Sequence, residues 1–140
     1  MTAGPILVDL NVVLDVLLDR VPHAAPAAEL WAAIESGEVD GLLAAHNVTT
    51  LHYLAQRARS RAFAEQCLRD VLSVFGVARV DRAVLEDAND LGWADYEDAV
   101  CAEAAVAAGC VLIATRDLAG FKRARLPALE PVAALAALRA

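Results

Sequence analysis

Apolar positions along the chain fall into two rhythms. Short unbroken runs, PILVD (5–9), DGLLAAH (40–46), FGVARV (75–80) and CVLIAT (110–115), have the continuity of strands covered on both faces. CVLIAT is the most pronounced of them. Between these runs the apolar residues recur at helical spacing. LNVVLDVLLDR (10–20) predicts a helix broken by the following VPH, and APAAELWAAIESG (25–37) a second, with Pro26 in its first turn and Gly37 at its end. NVTTLHYLAQRAR (47–59) opens on an Asn cap, with Val48, Leu51 and Leu54–Ala55 as its apolar positions. RAFAEQCLRDVLSVF (61–75), DRAVLEDANDLG (81–92) with an Asp cap, and the alanine-rich YEDAVCAEAAVAAG (96–109) are three further helices. LEPVAALAALRA (129–140) predicts a short last strand and a terminal helix. This alternation predicts an α/β protein: a three-layer α/β/α sandwich with a central parallel sheet of four to five strands, in a single domain over residues 1–140.

In sheets of this kind ligands bind beyond the carboxyl ends of the strands. Asp9 follows the first strand and Asp117 follows 110–115. The helix over 96–109 feeds a strand that runs toward that edge, so the helix itself starts there, with Asp95, Glu97 and Asp98 around its first turn. Asp95 and Asp98 are three residues apart and share a helix face. Taken singly, each acid has an ordinary reading, Asp9 and Asp95 as helix caps and Asp117 as a turn residue. Their joint arrival at one edge reads instead as one acidic pocket. Crowded carboxylates repel one another, and a divalent cation offsets the repulsion. Oxygen ligands suit Mg²⁺ or Mn²⁺, and such a site can activate water against a phosphodiester.

Composition narrows the function classes. With 59% hydrophobic residues the chain is not disordered, yet no apolar run reaches the roughly 18–20 residues of a membrane span. MTAGPILVD lacks the basic start and long apolar stretch of a signal peptide, so a cytoplasmic protein is expected. Cys67, Cys101 and Cys110 lie in apolar contexts without metal-ligand spacing and read as core residues. His23, His46 and His52 make no zinc-type pair. The net charge of −7 argues against a polyanionic partner, but the basic residues are clustered. QRARSR holds Arg57, Arg59 and Arg61, and TRDLAGFKRAR holds Arg116, Lys122, Arg123 and Arg125, as local phosphate-binding patches. The first turn, DLNVV, has no glycines for a dinucleotide, and the single lysine lies too far past the strand end for a phosphoacceptor receiver domain.

VDLNVVLDVLLDR, DYEDAVCAEAA and VLIATRDLAGF, in this order and over essentially the full chain, resemble the PIN domain, specifically bacterial toxin-type PIN proteins of VapC-like toxin–antitoxin systems. The parts that carry the resemblance are D-x-N after the first strand, D-Y-E-D-A at a helix start, and T-R-D followed by Phe121. The resemblance implies a metal-dependent endoribonuclease that hydrolyses RNA phosphodiesters at a carboxylate-bound Mg²⁺ or Mn²⁺. Asp9, Asp98 and Asp117 match its catalytic, metal-binding acids. Asn11 and Thr115 match positions that support the acids by hydrogen bonds, and Asp95 has a supporting role beside them. Asp15 matches the family's first helix, and its plain reading, a structural contact one turn below the rim, is preferred here. Arg57, Arg59, Arg116, Lys122 and Arg123 are the expected RNA contacts. One departure stands out: the family commonly carries a second acid where this chain has Thr50, which could hold a metal-bound water instead, with Glu97 as a partial substitute. That departure keeps open a second reading, a catalytically weak PIN-fold module that binds RNA or protein. The expected partners are RNA, a cognate antitoxin whose basic side chain reaches the acids, and a second copy of the chain.

Overall fold

Ile6 and Val8 enter one apolar cluster and Leu7 another, so the strand they form needs cover on both sides. The computed structural model describes residues 4–140 and supplies that cover. In chain order the elements are β1 (Ile6–Val8), α1 (Leu10–Leu17), α2 (Ala24–Glu35), β2 (Gly41–Ala44), α3 (Ala45–Ala58), α4 (Arg61–Val74), β3 (Gly76–Ala78), α5 (Arg82–Asp90), α6 (Tyr96–Ala107), β4 (Ile113–Ala114), β5 (Ala128–Leu129) and α7 (Pro131–Arg139). The five strands form one all-parallel sheet in the order β3-β2-β1-β4-β5. Helices α1 to α4 and α7 pack their buried residues into the Ile6/Val8 cluster, and α5 and α6 into the Leu7 cluster. The expected α/β/α sandwich is the observed one. Among the described residues no helix is long and apolar enough to cross a membrane.

The order of strands places a switch point at β1 and β4. From β1 the chain builds outward through β2 and β3, then returns through α5 and α6 to lay β4 on the other side of β1. Val8 faces Ala114 in register, and the Asp9 amide donates to the Ala114 carbonyl at 2.9 Å. The residues after Val8 and after Ala114 therefore leave the sheet side by side, the position where open parallel sheets hold ligands. Gly109, with φ +75°, ends α6 in the left-handed conformation that glycine adopts freely and turns the chain toward β4.

Several elements depart from their sequence patterns. CVLIAT keeps only Ile113–Ala114 as strand, although the Val111 amide still reaches the Pro5 carbonyl at 2.9 Å and the Leu112 carbonyl accepts from Leu7 at 3.0 Å. The helix expected to open on an Asn47 cap opens at Ala45. Asn47 lies inside it, 2% exposed, with its side chain turned to the protein interior. The cap expected at Asp81 is present, its Oδ1 accepting from the Val84 amide at 3.0 Å. α1 stops at Leu17, short of the expected 20, and Asp19 turns the chain with φ +50°.

Candidate active site

Asp9 occupies the N-cap position of α1 but makes no side-chain cap bond. Its Oδ2 instead accepts from the Thr115 hydroxyl at 2.9 Å. The same hydroxyl oxygen accepts from the Asp117 amide, also at 2.9 Å. Fully buried Thr115 thus ties the end of β1 to the turn after β4, and holds the two strand-end aspartates in a common frame. Asp117 is exposed, and its Oδ1 accepts from the Gly120 amide at 3.0 Å. A Cβ at position 120 would meet that carboxylate, so any side chain there would have to displace Asp117 from its present position. At the start of α6, Asp95 caps the helix by accepting from the Asp98 amide at 3.1 Å. Glu97 Oε2 accepts from the Thr50 hydroxyl at 2.8 Å, and the Glu97 carbonyl accepts from His46 Nε2 at 3.1 Å.

The electrostatics tie these segments together. The Asp98 carboxyl is pushed up to about 7, first by burial, then by the charges of Asp95 and Asp9, by its hydrogen bond with Asp95, and by Asp117. Burial also raises Asp9. The Thr115 hydroxyl and the Leu10 amide offset part of that rise, Asp117 adds to it and Arg116 opposes it. Beneath them the Cys101 thiol is raised by burial and by Asp9, Asp98 and Glu97, and donates to Asn47 Oδ1 at 3.0 Å. It is a neutral packing group, as the apolar context predicts.

Trp93, Asp95, Asp98, Asp117, Lys122 and Arg123 line a cleft of about 280 Å³ at this edge. Among the described residues neither Lys122 nor Arg123 forms an ion pair. The other expected RNA contacts lie elsewhere. Arg116 donates to Asp15 through Nε at 2.6 Å and Nη2 at 3.0 Å, so its charge is already engaged. Arg57 stacks over Tyr53 at 5.7 Å and Arg59 over Phe63 at 4.5 Å, and neither lines the cleft. Asn11, expected to support the acids, is exposed and accepts from Arg20 at 3.3 Å instead, because its place in the first turn of α1 turns it outward. Thr50 is occupied by Glu97 and by the His46 carbonyl at 3.4 Å. Asp15, 1% exposed, makes the structural contact below the rim that its plain reading expects, pairing with Arg116. Residue patterns gave no sign of Trp93, Gly120 or the Thr50–Glu97 bond, which depend on chain segments meeting across the fold.

The donor set is all carboxylate oxygen, and Asp9 and Asp98 resist ionisation because burial, with neighbouring carboxylates adding to it, outweighs what opposes it. That chemistry fits a hard divalent cation. As they stand, no three Asp, Glu, His or Cys side chains among the described residues already close into a coordination shell. Asp117 is turned onto Gly120 and Asp9 onto Thr115.

A family model described as PIN domain matches residues 5–119. Among curated proteins none matches the sequence significantly. Solved structures are similar in fold. VapC20 of Mycobacterium tuberculosis, a sarcin-ricin loop cleaving toxin, is 17% identical, with 77% of this chain and 86% of that one covered at a TM-score of 0.65. A DNA-bound VapBC from Salmonella typhimurium is 14% identical, with 92% and 99% covered at 0.72. FitAcB from Neisseria gonorrhoeae is 20% identical, with 90% and 97% covered at 0.68. At these identities the likeness speaks for the fold.

Proposed function

The chain belongs to the PIN-domain family, and from that premise we propose that it is a metal-dependent endoribonuclease, the toxin of a toxin–antitoxin pair. The observation that carries this reading is the cleft itself. Burial and neighbouring carboxylates raise Asp9 and Asp98 at the sheet's switch point, and the cleft that Asp98 lines with Asp117 also carries the unpaired cations Lys122 and Arg123. Asp9, Asp98 and Asp117 would hold Mg²⁺ or Mn²⁺, with Glu97 brought to the rim by Thr50. The ion supplies Lewis acidity, neutralising phosphate charge and making water a better nucleophile. Thr115 keeps Asp9 and Asp117 in register. Asp95 holds the first turn of α6, so that Asp98 stays at the rim. Lys122 and Arg123 anchor the RNA backbone, which an acidic protein otherwise repels.

The second reading, a catalytically weak RNA- or protein-binding module, draws its support from Thr50 standing where the resemblance implies an acid. The Thr50–Glu97 bond weighs against it, since it delivers a carboxylate to that neighbourhood. The partner is a cognate antitoxin with a basic side chain for the acid cleft, by charge complementarity. The VapBC and FitAB structures are the likeness that supports a partner of this kind. A homodimer is favoured by exposed Tyr53, Leu72 and Val77, whose apolar surface a second copy would cover. The working place is the cytoplasm, where RNA and antitoxin meet.

The test is cleavage of a mixed RNA pool. Wild type should cut with Mg²⁺ or Mn²⁺ and not with EDTA, and Asp98→Asn and Asp9→Asn should lose most of the cleavage while keeping the fold by circular dichroism. Equal cutting in EDTA, or by folded Asp98→Asn, overturns the metal-nuclease reading.

A further inference from the structure

Trp93 stands two residues before the Asp95 cap, directly after Gly92, whose φ of +69° ends the preceding turn. It is half-buried rather than sunk in the core. One side of the indole rests edge-to-face against Phe121, with centroids 6.1 Å apart and planes at 81°. Phe121 is only 1% exposed, so this contact fixes the ring. Trp93 also lines the cleft that Asp98 and Asp117 line. The chain leaves Phe121 directly into Lys122 and Arg123, and a turn holds them, the Ala124 amide donating to the Phe121 carbonyl at 3.0 Å. One buried aromatic therefore anchors both the indole and the two cations.

The cations carry a second message. Among the described residues half of the twelve basic side chains form ion pairs, Arg20 and Arg116 with Asp15, Arg61 with Glu65, Arg82 with Glu86, Arg125 with Glu103 and Arg139 with Glu38. Lys122 and Arg123 share a cleft with three aspartates yet pair with none of them. An aromatic wall beside unpaired cations is the chemistry that single-stranded nucleic acid recognises, with bases stacking on the ring and phosphates on the charges. At about 280 Å³ the cleft lies at the small end of ligand clefts, which run upward from roughly 300 Å³, so it suits one nucleotide rather than several.

We propose that this cleft is a single-nucleotide subsite for unpaired RNA, in which one base stacks on Trp93 and its phosphate is held by Lys122 and Arg123, next to the acids. The proposal rests on the nuclease reading for taking RNA as the polymer, but the binding it describes needs no cleavage. Stacking on a π-face is tolerant of base identity, so the subsite selects strandedness before sequence. A duplex keeps its bases stacked inside and has none to offer.

The full chain carries two tryptophans, Trp93 and Trp31, and Trp31 packs against Phe75 in the other cluster. In a Trp31→Phe protein, Trp93 is the sole reporter. Titration in EDTA with a short single-stranded oligoribonucleotide of mixed sequence should quench its fluorescence saturably. Trp93→Ala should weaken binding by roughly tenfold in fluorescence anisotropy, and Trp93→Phe should keep most of it. Replacing Lys122 and Arg123 together by Gln should lower the slope of log Kd against log salt by about 1.4, or about 0.7 per cation on a single strand. No quenching on binding, equal affinity for the same RNA as a duplex, or Trp93→Phe binding as poorly as an unrelated protein would overturn the subsite. If RNA quenches Trp93 but is never cut in Mg²⁺ or Mn²⁺, the subsite stands and the nuclease reading falls. If RNA is cut in a metal-dependent way without quenching Trp93, the nuclease reading stands and the subsite falls.

Discussion

Asp9 and Asp15 lie close together on β1–α1, both nearly buried at 6% and 1% exposure, and the fold answers their burial in opposite ways. Asp15 receives two hydrogen bonds from Arg116, and Arg20 stands 3.5 Å away. Asp9 receives the Thr115 hydroxyl and the Leu10 amide, and burial, with Asp117 adding to it, still holds it back from ionising, Arg116 opposing only in part. A buried charge without a partner is costly, so Asp9 at the sheet's switch point resists taking one up. Below the rim, acid and cation are matched permanently and the pair is structural. At the rim Asp9 and Asp98 have no such ion pair among the described residues.

Removing a partner from the matched pair is the strongest test of that contrast. Arg116→Ala leaves Asp15 buried and should lower the free energy of unfolding by about 3 kcal/mol, whereas Asp9→Asn should leave it unchanged or higher. Urea denaturation of the metal-free proteins measures both. A loss below about 1 kcal/mol for Arg116→Ala, the range of surface pairs, would erase the distinction.

The rim should also respond to pH. Asp98 titrates at about 7 in the fold against an ordinary 3.8, so between those values the native state keeps a proton that the unfolded chain has released. Stability of the metal-free protein therefore falls as pH rises through that window, and Asp9, also raised, adds the same sign. Binding Mn²⁺ requires the ionised form. Its apparent affinity should rise by up to about tenfold per pH unit below about 7 and level off above. Thermal melts and calorimetry across this range check the two halves together, and Asp98→Asn should flatten the stability profile. A metal-free protein that grows more stable toward pH 8 would mean that the rim acids are compensated after all.

The smallest expected effect concerns the rim's outer edge. Thr50→Val removes the hydroxyl that Glu97 accepts from. Both groups are accessible, so stability should change by no more than about 0.5 kcal/mol. If Glu97 contributes to the rim, Mn²⁺ affinity should drop a few-fold by calorimetry. Unchanged affinity would place Glu97 outside the site and return weight to the weak-module reading.

What could be read along the chain was what repeats locally. PILVD declared a strand because its apolar run has no polar interruption before Asp9, and YEDAVCAEAAVAAG a helix because alanine favours one and Gly109 stops it. The order of these elements was enough to send Asp9, Asp98 and Asp117 to one edge, since a parallel sheet has only two. Asp81 could be placed as a cap because its acceptor and donor are three residues apart. The partner of Arg116, the Thr115 bridge between two aspartates, the Thr50–Glu97 bond and the wall of Trp93 against Phe121 join segments remote in the chain. Their pairing depends on the register of β1 against β4 and on how α3 and α6 meet across the sheet. Periodicity cannot encode these, because it records which face a residue occupies and not which residue stands opposite. β4 shows the same limit: the apolar run CVLIAT promised a long strand, but only Ile113 and Ala114 take strand form, since a strand is completed by its neighbours, β1 on one side and the two-residue β5 on the other.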